Sequence, residues 1–233
     1  VSAPEAAHRI LRYGPLADQY VEVTSPVGSS RGTVALIHGG YWRRPFTAEL
    51  MRPLVPTFVA DGWVVANVEY RRGSEGWAAT DADITAALHV ARSAGEASRL
   101  AIIGHSVGGQ LALLGSRDGD AVVALAPVTD LVRGFRERIG DGAVAEFFGE
   151  STDTIIAASP LAQIPPRGEL LVVHGRDDAR VPIEHTRDYV EAARAAGADV
   201  DLIELPQLSH LDAIDPAASH WPDVRRWLDQ RRG

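Results

Sequence analysis

The sequence predicts an α/β fold, a mostly parallel central sheet flanked by helices within one domain over residues 1–233. Three observations lead there. Short apolar runs of strand length recur along the chain, helical stretches separate them, and 45% of the 233 residues are hydrophobic, enough for a sizeable core. Strands are expected at 20–24, 34–37, 64–68, 100–104, 122–125, 170–174 and 199–205. The run Thr33-Val34-Ala35-Leu36-Ile37 reads as a buried strand, and Asp201-Leu202-Ile203-Glu204-Leu205 as a final strand with partial alternation.

Helices are expected at 47–61, at 82–93 with Ile84, Leu88 and Ala91 on one face, at 107–116, at 184–196 and at 222–230. Gly197 suits a left-handed cap for the fourth of these. The interval 129–167 breaks the alternation, being too long for a plain connection and poor in strand character. Helices are expected there, including 131–138 and 144–148; they either cover the sheet or form a small helical lid.

Composition narrows the function classes. The chain carries 23 basic against 31 acidic side chains, a formal net charge of −8, which argues against a nucleic-acid or anionic-membrane surface as the working partner. Cysteine is absent, so neither disulfides nor thiol chemistry contribute. No apolar run approaches the roughly twenty residues needed to cross a bilayer. The first residues lack the basic-then-apolar pattern of a signal peptide, and the expected location is cytoplasmic. A small-molecule ester or amide is the expected partner, with no metal or cofactor.

Two segments point to an enzyme. Gly104-His105-Ser106-Val107-Gly108 fits the pattern Gly-x-Ser-x-Gly between the apolar run 99–103 and the leucine-rich run 110–114, which places Ser106 alone on a sharp strand-to-helix turn. Upstream, His38-Gly39-Gly40-Tyr41-Trp42 follows a buried strand and has the glycines a loop needs to turn backbone N–H groups toward an oxyanion. A serine hydroxyl is a weak nucleophile, so a base and a group orienting that base are required. In chain order serine, acid, histidine, the strand 170–174 runs into Asp177-Asp178, and the last strand leads through Pro206-Gln207-Leu208-Ser209 to His210.

With these four ordered motifs the chain resembles the α/β-hydrolase superfamily from about Tyr20 to the C-terminal helix. The His-Gly-Gly-Tyr-Trp string, Asn67-Val68-Glu69-Tyr70-Arg71 and the segment from His210 to Pro216 resemble the arylformamidase (kynurenine formamidase-like) and small carboxylesterase branch. Val107 and Gln110-Leu111 depart from the arylformamidase pattern. His174-Gly175, Asp178 and Val181-Pro182 are similar to the acid loop of many members, prolyl-oligopeptidase-like peptidases among them. The resemblance implies Asp178 as the acid, His210 as the base, an oxyanion hole from the N–H groups of Val107, Gly40 and Tyr41, and a small helical lid over the site at 129–167.

Other acids and histidines compete for these places. Asp177 reads as a solvated loop residue or a helix cap, and Asp130 could serve from a neighbouring strand end. Asp212 and Asp215 lie too close to His210 along the chain, and Asp215-Pro216 reads as turn chemistry. His38 is expected to stiffen the oxyanion loop, His105 to point away from substrate and His174 to end a buried strand, with His8, His89, His185 and His220 solvated. Tyr41, Trp42, Trp77, Phe147, Phe148 and Leu208 are the candidate apolar substrate contacts, and their number favours an acyl or aryl group.

The expected function is therefore a serine hydrolase acting on a small ester or aryl amide, with N-formylkynurenine hydrolysis as its sharpest version. A non-catalytic ligand-binding member of the same fold is the alternative. A peptidase is less favoured, no accessory propeller domain being present.

Overall fold

The computed structural model describes residues 6–95 and 99–231. One eight-stranded sheet organises the chain: β1 (Ala7–Arg12), β2 (Tyr20–Ser25), β3 (Thr33–Ile37), β4 (Val64–Val68), β5 (Leu100–His105), β6 (Ala121–Leu125), β7 (Glu169–Gly175) and β8 (Val200–Leu205). Their spatial order is β1-β2-β4-β3-β5-β6-β7-β8. The first two pairings are antiparallel and every pairing from β4 to β8 is parallel. Strands β3, β4, β5 and β6 are buried at every position, because helices cover both faces of a parallel sheet and alternation gives way to continuous apolar runs.

Two apolar layers sandwich the sheet. On one face α2 (Gly76–Arg92), α3 (Val107–Gly115) and α7 (Ile183–Ala195) bury Ile84, Leu88, Leu111, Tyr189 and Val190 against Ala35, Ile37, Ile102 and Val122. On the other, a 3-10 helix (Ala48–Leu54), α1 (Val55–Ala60) and α8 (Trp221–Gln230) bury Met51, Leu54, Phe58, Trp221 and Trp227 against Val34, Leu36, Ile103 and Val123. The edge-on Phe58–Trp221 contact, ring centroids 5.8 Å apart, joins α1 to α8.

Four elements differ from the sequence expectation. Strand β1 was not anticipated, since its Ala-His-Arg-Ile-Leu-Arg string sits exposed on an edge and shows no core periodicity. The helix expected at 47–61 is split into a 3-10 segment and α1, with Pro53 and Pro56 removing N–H donors where a continuous helix would need them. Helix α2 begins at Gly76 rather than near Ala82. The interval 129–167 holds three short helical segments, α4 (Leu131–Arg136), α5 (Ile139–Phe148), kinked at its start where Gly140, Asp141 and Gly142 have positive φ, and α6 (Thr152–Ala157), and a 3-10 turn (Pro160–Gln163). Only the first two helices were expected. Among the described residues no helix is long and apolar enough to cross a membrane.

Candidate active site

Parallel strands β3, β5, β7 and β8 all end on one edge, and each hands a singled-out segment to that edge. Strand β5 ends at His105 and α3 starts at Val107, leaving Ser106 at the turn with φ 57° and ψ −119°. A non-glycine residue held there costs of order 1–3 kcal/mol, so the surroundings must fix it. They do. The Ser106 N–H donates to Leu125 O (2.8 Å), while its carbonyl accepts from the N–H groups of Gly109 (2.9 Å) and Gln110 (3.1 Å). Two glycines let the chain fold this tightly: a Cβ on Gly104 would lie 2.0 Å from the Gly108 carbonyl oxygen, and one on Gly108 would lie 2.0 Å from that of Ile37.

The loop after β3 lies directly against this turn. A Cβ on Gly39 would come within 2.8 Å of the Ser106 Cβ, and Gly40, Tyr41 and Trp42 all have positive φ, at 124°, 56° and 56°. This unusual run turns the loop's peptides over. Among the described residues the backbone N–H groups of Gly40, Tyr41 and Val107 have no acceptor within the chain.

His38 anchors the loop from below. One of its ring nitrogens, Nδ1, lies 2.7 Å from Gly39 O, and Nε2 lies 3.2 Å from the Glu69 carboxylate. The Tyr70 hydroxyl donates to His38 O (2.9 Å) and its ring stacks on the imidazole at 4.4 Å. Glu69 also accepts from Arg72 (2.5 Å) and from the N–H groups of Ala48 and Tyr70 (3.0 Å each). Burial would raise this carboxyl, but the His38 hydrogen bond and charge, with Arg72 and the Ala48 amide, outweigh it and hold it below its ordinary value. Glu69 and Arg72 had no assigned role in the sequence reading. The parallel register pairing Ile37 with Val68, which sets His38 beside Glu69, is the signal that finds them.

At the end of β7, Asp178 Oδ2 accepts from His210 Nδ1 (2.7 Å), and Oδ1 accepts from the N–H groups of Arg180 (2.8 Å) and Val181 (3.0 Å). His174 Nε2, which donates to Val181 O (3.0 Å), lies 3.4 Å from Oδ2. Desolvation would raise the Asp178 carboxyl; hydrogen bonds from His174 and His210, the His210 charge and the Val181 amide reverse this and hold it far below the usual carboxylate range. The carboxylate form of Asp178 is thereby favoured. Neither the Ser106 hydroxyl nor His210 Nε2 has a hydrogen-bond partner among the described residues; nucleophile–base contacts commonly tighten only with substrate in place.

The competing acids sit elsewhere. Asp130 caps α4, accepting from the Arg133 N–H (3.0 Å), Asp177 is exposed, and Asp215 accepts from the Ala217 N–H (2.9 Å) within a turn. His8 and His89 are exposed as expected, but His185 and His220 are corrections: they are 1% and 0% exposed, on the inward faces of α7 and at the start of α8. Their polar neighbours in sequence hid that burial.

The six apolar candidates do not form one wall. Trp42 is 1% exposed, stacked on Phe147 at 5.5 Å and edge-on to Phe148 at 5.3 Å, so it docks α5 onto the core and reaches no substrate without rearrangement. Leu208 is a buried residue of the opposite layer. Trp77 contacts Phe148 at 5.6 Å and lines a groove of about 690 Å³ with Asp81, Leu114 and Arg167. Tyr41 is half-buried beneath the 129–167 interval: a Cβ on Gly140 would lie 2.3 Å from its ring, and Arg43 joins Gly140 O (3.0 Å) to Glu146 (2.6 Å). Gln110, a departure from the arylformamidase pattern, is fully buried and donates to Ala158 O (2.8 Å), tying α3 to the end of α6. No group of three or more His, Cys, Asp or Glu among the described residues could hold a metal ion.

The model of the prolyl oligopeptidase family matches residues 59–229, which includes the turn at Ser106, the acid loop and His210. The chain belongs to the prolyl oligopeptidase family. Esterase LipC of Mycobacterium tuberculosis is 26% identical over 220 residues, covering 78% of this chain and 53% of the relative. The chain thus spans about half the length of that curated relative. Among solved structures, a truncated carbohydrate esterase from gut microbiota superposes with a TM-score of 0.81 at 18% identity, covering 98% of this chain and 96% of the other. Esterase B of Lactobacillus rhamnosis does so with a TM-score of 0.82 at 17% identity, over 97% and 86% of the two chains. These likenesses establish the α/β-hydrolase fold for this family member, and with the family match they support a serine hydrolase.

Proposed function

We propose that the protein cleaves a small ester, or an aryl amide or formamide, through an acyl-enzyme on Ser106. The observation carrying this reading is the buried His210–Asp178 pair, held at 2.7 Å on the same sheet edge that presents Ser106 at the strained turn. With Nδ1–H committed to Asp178, His210 offers Nε2 as a base. It takes the Ser106 proton as Oγ attacks the carbonyl carbon, and Asp178 stabilises the imidazolium that forms. The oxyanion is received by the unpartnered N–H groups of Val107, Gly40 and Tyr41, where loss of one donor costs about 3–4 kcal/mol of barrier. His210 then returns the proton to the leaving alcohol or amine, and water, deprotonated by the same nitrogen, releases the acid.

The three relatives named above are esterases, which favours an ester as the ordinary substrate. The narrower arylformamidase reading rests on the His-Gly-Gly-Tyr-Trp string. A fluorophosphonate probe is expected to label Ser106, and Ser106→Ala to abolish labelling and lower kcat about a millionfold. A wild-type protein that stays unlabelled and turns over no ester would instead favour a ligand-binding protein. Parallel assays on p-nitrophenyl acetate, a longer ester and N-formylkynurenine separate the two hydrolase versions: turnover confined to the formamide selects arylformamidase, and ester turnover with none on formamide removes it.

A further inference from the structure

His105 is a buried imidazole inside the nucleophile turn that the acyl-transfer steps do not use. It is 3% exposed, and its ring centroid lies 4.6 Å from that of His210. Its Nε2 is 2.8 Å from the backbone carbonyl of His210, an acceptor only, so Nε2 carries the proton and donates. The other nitrogen, Nδ1, has no partner among the described residues and lies beside Gly39, where an added Cβ would come within 3.4 Å of it.

The two ends of this hydrogen bond differ in how firmly they are held. His105 is the last residue of β5, paired in register with Leu125 of β6, and its chain neighbour is Ser106. His210 lies beyond β8 on a connection that holds Gln207 at φ 61° and contains no regular element before the short 3-10 turn at Asp212–Ile214. Asp178 fixes the His210 ring, while Ser209 and Asp212 exchange two long hydrogen bonds at 3.4 and 3.3 Å and the Asp212 carbonyl accepts from the Asp215 N–H (3.1 Å). Leu208 packs its carbonyl on Gly175 of β7, and the strand that carries Ser106 reaches the backbone of the base through the His105 side chain.

We propose that His105 is a positioning residue, its Nε2–H pinning the His210 carbonyl to the strand that carries Ser106 and so setting the distance between base and nucleophile. This rests on the acyl-enzyme reading above. Burial, reinforced by the His210 charge, pushes the His105 imidazole down to about 3, against the smaller opposing effects of its hydrogen bond to His210 O and of Asp178. His105 accordingly stays uncharged while His210 becomes an imidazolium 4.6 Å away. A second proton on Nδ1 would face Gly39 with no acceptor.

The test compares His105→Leu, which removes the donor, with His105→Gln, whose side-chain amide restores an N–H at similar reach. Kinetics on p-nitrophenyl acetate are normalised to sites titrated with a fluorophosphonate, so that unfolded protein does not count. His105→Leu is expected to lower kcat per titrated site about 100-fold, the order of loss produced by a displacement near 1 Å, with KM nearly unchanged. His105→Gln is expected to recover most of it. A kcat per titrated site within about twofold of wild type in His105→Leu would overturn the proposal, as would equal losses in both variants. Failure of the acyl-enzyme reading would show separately, as persistent turnover in Ser106→Ala.

Discussion

Two buried histidine–carboxylate pairs flank Ser106, and they differ in what their imidazoles are free to do. On the β3–β4 side His38 faces Glu69 at 3.2 Å; on the β7–β8 side His210 faces Asp178 at 2.7 Å. In the first pair both imidazole nitrogens are engaged, and the carboxylate is shared with the Arg72 guanidinium and two backbone amides. In the second, Nε2 of His210 has no partner among the described residues, and Asp178 is shared with His174 and two backbone amides but with no guanidinium. On the proposed mechanism His210 can carry a proton because its far nitrogen is open and no cation neutralises its acid, whereas both nitrogens of His38 are engaged. The closed pair braces the loop after β3 instead.

The largest expected effect separates the two pairs by activity. Asp178→Asn keeps the shape but allows His210 to adopt the wrong tautomer, and kcat should fall about ten-thousandfold. Glu69→Gln should do the converse. It leaves Arg72, 3% exposed, without its counter-charge, and is expected to cost about 3 kcal/mol of unfolding free energy in urea while leaving kcat per titrated site far closer to wild type. Comparable kcat losses in the two variants would show that the His38 pair takes part in the chemistry and would dissolve the distinction.

This contrast also marks what can be read from the sequence and what cannot. Ser106, Asp178 and His210 stand at the ends of apolar runs, and strand ends are visible in a sequence because buried parallel strands are continuous in hydrophobicity. Glu69 and Arg72 follow such a run too, but their role depends on which strand lies beside which. Strand order β2-β4-β3-β5 is a long-range property that no local pattern carries. Trp42 misleads for a related reason: adjacent to Tyr41 in the loop, it turns into the core at φ 56° and stacks on a helix about a hundred residues away. The exposed edge strand β1 and the third short helix α6 lack the apolar periodicity that revealed the other elements.

A smaller effect sharpens the comparison through pH. Both carboxylates are held below their ordinary values of 3.8 for Asp178 and 4.5 for Glu69, so near those values each binds fewer protons folded than unfolded. Their contribution is fully present above the ordinary value and is lost as pH falls through the folded one. Asp178→Asn and Glu69→Gln should each flatten the decline in urea midpoint below about pH 4. His105, faced by His210, Asp178 and His174, acts in a higher window. Its folded value of about 3 lies below the ordinary 6.5, so the unfolded chain binds more protons between them and stability declines as pH falls across that range. His105→Gln should flatten this upper segment and leave the lower one in place.

The smallest expected effect comes from a third contact, His185 Nε2 to Glu137 at 2.8 Å. His185 is buried, but Glu137 is 38% exposed and also meets Arg133 at 2.6 Å, so water and a cation both compete for the carboxylate. Glu137→Gln should cost less than about 1 kcal/mol in urea and leave kcat unchanged. Because Glu137 joins α4 to α7 through His185, a change in KM for the longer ester at constant kcat would assign the pair to substrate entry. His185 is buried and its Nδ1 is open, so what sets it apart from His210 is that Arg133 already meets its carboxylate; a fall in kcat itself would show that this difference does not keep a histidine out of the chemistry.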